Sequence, residues 1–199
     1  MSNNALVPAG SRLPQPRAWV HPGPIQAQRI THCIAPQGRH LRIALPRGAT
    51  LFDGLVQPLA ALGIHNAAFN ILAGEFERLV YCVAPPDPTG RVAAAYTEPN
   101  DAGQSYLLAA NATLGSNEAG QPVVHCHAGL RDSNGRLRGG HLLPQACVVG
   151  RHGLVAFAVE LQGFAVQVGY DPETTLSFFK PTTLADASGR SAMHRESRQ

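Results

Sequence analysis

Between residues 39 and 168 the chain breaks into nine short runs that are apolar or alternate apolar with polar, bounded by turn-forming residues. They are Arg39–Leu45, Ala67–Leu72, Leu79–Ala84, Val92–Tyr96, Ser105–Leu114, Val123–Leu130, Leu137–Val149, Leu154–Leu161 and Phe164–Val168. Only one segment carries a helical period: Leu51, Leu55, Leu59 and Leu62, with Asp53 near its front, Pro58 as a possible kink and Gly63 closing it. One helix among many hairpin-linked strands predicts an α+β fold, an antiparallel or mixed sheet with that main helix packed on it.

The ends read differently. Residues 1–37 hold Pro14-Gln15-Pro16 and Pro22-Gly23-Pro24 and little apolar surface to offset the entropy of ordering, which predicts an extended arm. Residues 38–181 form the expected domain, and residues 182–199, small and polar, a flexible tail. A chain of 199 residues suits one domain with such ends. Charge divides along the same lines. Residues 1–49 carry six arginines and no acid, residues 50–189 carry a net −5, and the last ten a net +2. A basic arm on an acidic body can touch phosphates or an acidic partner.

No apolar stretch approaches the roughly 18 residues that a membrane-spanning helix needs. Met1–Gly10 lacks a basic start followed by an apolar run, so no secretory leader is expected and the expected location is cytoplasmic. Cys33, Cys82, Cys126 and Cys147 form no Cys-x-x-Cys pair and read as small buried apolar residues. Lys180 is the sole lysine, so no phosphate-binding P-loop exists, and neither Gly-x-Ser-x-Gly, Gly-x-Gly-x-x-Gly nor His-Glu-x-x-His occurs.

The remaining chemistry lies between Pro122 and Leu143. Strand alternation puts His125 and His127 on one face and Cys126 on the other. Asp132-Ser133-Asn134-Gly135 predicts a type I turn with Gly135 left-handed, which sets Asp132 opposite Arg136. Counting back along both strands then sets His127 opposite His141, within about 5 Å at Cβ. Gly139-Gly140 could shift that register through a bulge, or let a ligand or another backbone come close. Three neutral imidazoles with an open fourth position suit a divalent metal, zinc above all, with nickel or iron as alternatives. Such a site keeps its full charge and favours an anionic ligand. His21, His32, His40, His65, His152 and His194 have no comparable partners in the sequence.

This block resembles the plants-and-prokaryotes conserved (PPC) domain, known as the partner of AT-hook motifs in plant nuclear proteins. The resemblance rests on Gly120-x-Pro122-x-x-His125-x-His127-Ala128, then Asp132-x-x-Gly135, then Gly139-Gly140-His141-Leu142. Arg47-Gly48, the helix through Leu62 and Gly63-Ile64 extend it over roughly residues 38–180. It implies an α+β homotrimer and, as in some prokaryotic members, a metal on His125, His127 and His141. Surplus apolar strand surface at Ile71, Val80, Phe157 and Val159 also suggests a subunit interface. An AT-hook needs an Arg-Gly-Arg-Pro core; Pro46-Arg47-Gly48-Ala49 is the nearest approach.

Three functions compete. The first is a metal- or small-ligand-binding module, with a lyase or hydrolase using metal-activated water among its forms; Glu75, Glu77, Glu98, Glu118 and Glu160 are its unplaced acids. The second is a DNA-associated regulator that binds weakly through Arg12, Arg17 and Arg29. The third is a cupin-like metal enzyme, which needs a glutamate soon after His-x-His where Ala128-Gly129-Leu130-Arg131 supplies none.

Overall fold

The computed structural model describes residues 20–35 and 37–183. Its sheet begins with β1 (His40–Leu45), and the chain then enters α1 (Leu51–Ala60) through Thr50. The Thr50 hydroxyl accepts from the Asp53 backbone N–H at 3.0 Å and donates to the Asp53 carboxylate at 2.7 Å, which satisfies an otherwise orphaned helix donor. Leu51, Leu55 and Leu59 are fully buried, whereas Leu62 lies past the helix end and is half exposed. Gly63, at φ 70°, turns the chain out of the helix, and Pro58 is accommodated within it.

The remaining elements are strands. They are β2 (Ala67–Ile71), β3 (Gly74–Arg78), β4 (Val80–Cys82), β5 (Asn100–Asp101), β6 (Ser105–Ser116) and β7 (Pro122–Asp132). After them come β8 (Leu137–Leu142), β9 (Val148–Val149), β10 (Leu154–Glu160), β11 (Phe164–Asp171) and β12 (Leu176–Thr183). The main path runs β1-β10-β2-β6-β7-β8-β4-β5, with β3 bridging β6 to β9 and the β11–β12 hairpin attached to β6. All pairings are antiparallel except the single β11–β6 bridge at Gln167 and Ser116, so the sheet is mixed. One face is buried in a core built from Leu45, Leu51, Leu55, Leu59, Phe76 and Leu107, continued by Leu114, Leu130 and Leu142. The other face carries Asn70, Asn111 and His127.

Several elements depart from the periodicity. Val92–Tyr96 forms no strand beyond an isolated bridge from Pro86 to Ala94, because Asp87 accepts from Thr89, Arg91 and Val92 and winds the segment into turns. Leu137–Val149 divides into β8 and β9. Gly74–Arg78, Asn100–Asp101 and Leu176–Thr183 pair although their composition does not announce strands; β3 fully buries only Phe76. Ile71 and Val80 belong to the core, leaving Phe157 and Val159, 45% and 37% exposed, as the apolar surplus of that group.

Residues 20–35 and 37–39 have no regular secondary structure, yet part of this segment is anchored. The Glu173 carboxylate, in the β11–β12 turn, accepts from His21 Nδ1 at 2.7 Å, from the Gln26 N–H at 3.0 Å and from Arg29. Those donors, the Gln26 backbone first, hold the Glu173 carboxyl down at about 2. Arg12, Arg17 and His194 lie outside the described residues, as does everything after Thr183, where β12 ends two residues beyond the expected domain boundary.

Candidate metal centre

The β7–β8 hairpin closes as its turn chemistry dictates. The Asp132 N–H donates to the Arg136 carbonyl at 3.0 Å, the Gly135 N–H donates to the Asp132 carbonyl at 2.9 Å, and Gly135 sits at φ 78°. Asp132 Oδ1 also accepts from the N–H groups of Asn134 and Arg136. The resulting register sets His127 opposite His141, with no slip at Gly139-Gly140. Gly140 serves a different purpose: a Cβ there would lie 2.4 Å from the Cys82 carbonyl oxygen, so its bareness lets β4 pair with β8.

Strand alternation adds His125 to the pair. Ring centroids lie 4.8 Å apart for His125 and His127, 4.7 Å for His125 and His141, and 5.4 Å for His127 and His141. One nitrogen from each ring falls within 4.8 Å of the other two. Among the described residues no cysteine or carboxylate joins the cluster. His21 instead pairs with Glu173, and His32, His40, His65 and His152 stand apart from it.

Three imidazoles this close fit a cation better than they fit one another. His141 Nδ1 is buried and has no hydrogen-bond partner among the described residues, an arrangement that costs free energy unless something occupies its lone pair. Burial first, then His125 and His127, push the His141 imidazolium down to about 4; burial and then His127 lower His125. Both rings are therefore neutral at pH 7, the protonation state that a metal ligand requires. The set is nitrogen-only, the ligand type that three-histidine metal sites use.

Two aromatic rings complete the surroundings. Tyr96 lies 5.2 Å from the His141 ring, and Phe179 meets His125 edge-on at 6.2 Å. The Cys82 thiol faces the His141 carbonyl at 3.7 Å, and burial raises its pKa. None of these neighbours was legible as a site residue. Tyr96 sits in a loop, and Phe179 in a strand whose Pro181 and Lys180 disguise it.

The depressed His141 pKa has a consequence for metal-free protein. The unfolded chain takes up this proton near 6.5 and the folded chain only near 4, so between those values the unfolded state binds more protons. Stability is expected to fall as pH drops through that window and to show no further contribution from this group below it. Chemical denaturation across pH 7 to 4 reads this out; a His141→Phe variant should show a shallower decline, and an identical decline would contradict the account.

A profile of the Plants and Prokaryotes Conserved (PCC) domain matches residues 34–160. Among solved structures, the chain is similar to a metal-containing protein from Archaeoglobus fulgidus, with 21% identity, TM-score 0.59, and 77% of this chain and 99% of that one covered. It is also similar to a plant- and prokaryote-conserved protein from Pyrococcus horikoshii, with 19% identity, TM-score 0.57, and coverage of 76% and 100%. A third, from Ralstonia eutropha JMP134, is named a candidate DNA-binding protein; it shares 18% identity, TM-score 0.54, with coverage of 73% and 92%. At these identities the likeness shows a shared fold. No curated protein matches the chain.

Proposed function

Because this chain belongs to the Plants and Prokaryotes Conserved domain family, we propose that it is a metal-binding module whose three histidines hold one divalent ion, zinc by preference, open to an anionic ligand. The observation that carries this reading is the convergence of His125, His127 and His141, with a buried Nδ1 on His141 that no group among the described residues satisfies. The metal-containing neighbour from Archaeoglobus fulgidus is consistent with it. A bound zinc ion would supply Lewis acidity, polarising an oxygen ligand and lowering the pKa of water. The protein's own part is to hold His125 and His141 neutral, to orient the three rings from adjacent strands, and to flank them with Tyr96 and Phe179. Elemental analysis of protein purified without an affinity tag tests the reading, with about one divalent ion per chain expected and metal-free protein as the contrary result.

The module assembles as a homotrimer in this reading. The sheet face that bears the histidines also bears Asn70, Phe157 and Val159, an open surface that a second copy can cover. Light scattering at micromolar concentration should give three chain masses, and a monomer would contradict the assembly.

A second reading, weak attachment to DNA through the basic arm, draws on the charge asymmetry and on the name of the Ralstonia eutropha neighbour. Arg29 already pairs with Glu173, which leaves Arg12 and Arg17 to meet phosphates. Few phosphate contacts give a shallow salt slope and weak binding near 150 mM salt, about −0.9 per contact on duplex DNA. Deleting residues 1–30 is expected to abolish the binding, and A·T-rich duplexes should hold no advantage over G·C-rich ones. Tight A·T-selective binding that survives the deletion would put this reading first. No helix among the described residues is long and apolar enough to cross a membrane.

A further inference from the structure

The strand that carries His125 and His127 continues on the same face through Gly129 to Arg131. Cross-strand pairing turns this into three successive rungs. The first is Asn111, His127 and His141; the second is Ala109, Gly129 and Gly139; the third is Tyr106, Arg131 and Leu137. The middle rung has almost no side chains. A Cβ at Gly129 would meet nothing within 4 Å, while one at Gly139 would come within 2.9 Å of the Ala128 carbonyl oxygen, which keeps that position bare. The result is a smooth strip of backbone leading away from the three histidines.

The strip ends in a cavity of about 900 Å³ lined by Glu75, Gln104, Tyr106, Leu108, Arg131 and Arg151 among others. The register of β6 against β7 shifts between Leu107 and Ala109, so Leu108 is an extra residue, 46% exposed, beside Tyr106 at 51%. Bulges of this kind re-aim side chains next to binding sites. The carboxylates here are engaged: Glu75 accepts from Gln104 at 2.6 Å and faces Arg151 at 3.5 Å, and Asp132 pairs with Arg138 at 3.2 Å. Arg131 has no ion-pair partner among the described residues. A cation without a counter-charge, beside two exposed apolar side chains and at the end of a bare strip, fits an anion carried on an apolar body.

We propose that the ligand of the three-histidine centre is an elongated molecule lying along β7. One end presents an oxygen donor to the metal, a slim apolar body crosses Gly129 and Gly139, and a terminal carboxylate or phosphate meets Arg131. Four residue steps of strand carry the chain from His127 to Arg131, about 13 Å, which sets the length. The inference rests on the metal reading above and adds the class of molecule.

Calorimetry on zinc-loaded protein tests it with three probes: acetohydroxamate, suberic acid monohydroxamate, and the methyl ester of the latter. The free acid is expected to bind roughly tenfold tighter than its ester, the worth of one charge-assisted contact. Arg131→Gln should erase that advantage, Gly129→Leu should weaken both long probes by blocking the strip, and acetohydroxamate should bind all three proteins alike. Acid and ester binding equally, or an advantage that survives Arg131→Gln, overturns the proposal while leaving the metal reading intact provided acetohydroxamate binds. Failure of every probe in protein that elemental analysis shows to be metal-free overturns both.

Discussion

Replacing His141 with alanine is expected to lower divalent-metal affinity by about a hundredfold or more while the sheet stays folded. Loss of a group that merely orients a ligand typically costs about 10–100-fold, and His141 would be a ligand itself, one of three. The fold should tolerate the change because, among the described residues, the buried His141 Nδ1 has no hydrogen-bond partner to lose. The adjoining Leu142, fully buried, keeps β8 attached to the core. Elemental analysis, circular dichroism and a denaturation curve, measured on the same preparation, separate the two effects. Equal metal content in the variant and the parent protein would remove His141 from the site.

The second large effect concerns the backbone rather than a ligand. Gly140→Val should destabilise the protein by about 2–3 kcal/mol, the usual scale for overpacking. Its Cβ would stand 2.4 Å from the Cys82 carbonyl oxygen and 3.0 Å from the Tyr81 ring, so β4 and β8 would have to separate. Cys82 is the cross-strand partner of His141, and the same displacement would pull one imidazole away from the other two. Gly129→Ala on the facing strand is the natural control, since its Cβ enters open space and should change stability by less than about 0.5 kcal/mol. If the two variants melt alike, the close approach at Gly140 is not what holds β4 in place.

The contrast between these glycines shows what a sequence can reveal here. The hairpin was legible because its register depends on local chemistry alone: an aspartate that starts the turn, a left-handed glycine that ends it, and a count of two residues per repeat. The helix was legible for the same reason, through Leu51, Leu55 and Leu59 at helical spacing and Gly63 at its close; the Thr50 cap emerged only from the structure. What escaped depends on residues distant in sequence. Cys82 comes 59 residues before His141, Tyr96 reaches the site from a loop, and Phe179 from a strand with a proline in it. The expected strand over Val92–Tyr96 failed because one carboxylate, Asp87, outcompeted sheet pairing for the local N–H groups. No local pattern in residues 20–35 announces that Glu173, at least 144 residues away, takes hold of the segment.

The separation of the sheet's two faces explains why a small family domain can carry such a site. One face needs α1 and the core leucines for stability. The opposite face is then free to hold polar residues and the three histidines on rigid adjacent strands, where a side-chain cluster keeps its geometry better than on loops. The Asn111 amide donates to Asn70 on the neighbouring strand, next to His127 on that same face.

X-ray absorption at the edge of the bound metal tests the central claim most directly. The account predicts a first shell with three imidazole nitrogens, at about 2.0–2.1 Å if the metal is zinc, plus one exchangeable light donor, and loss of that signature in His141→Ala. A shell dominated by sulfur, or by six oxygens with no imidazole scattering, would contradict it.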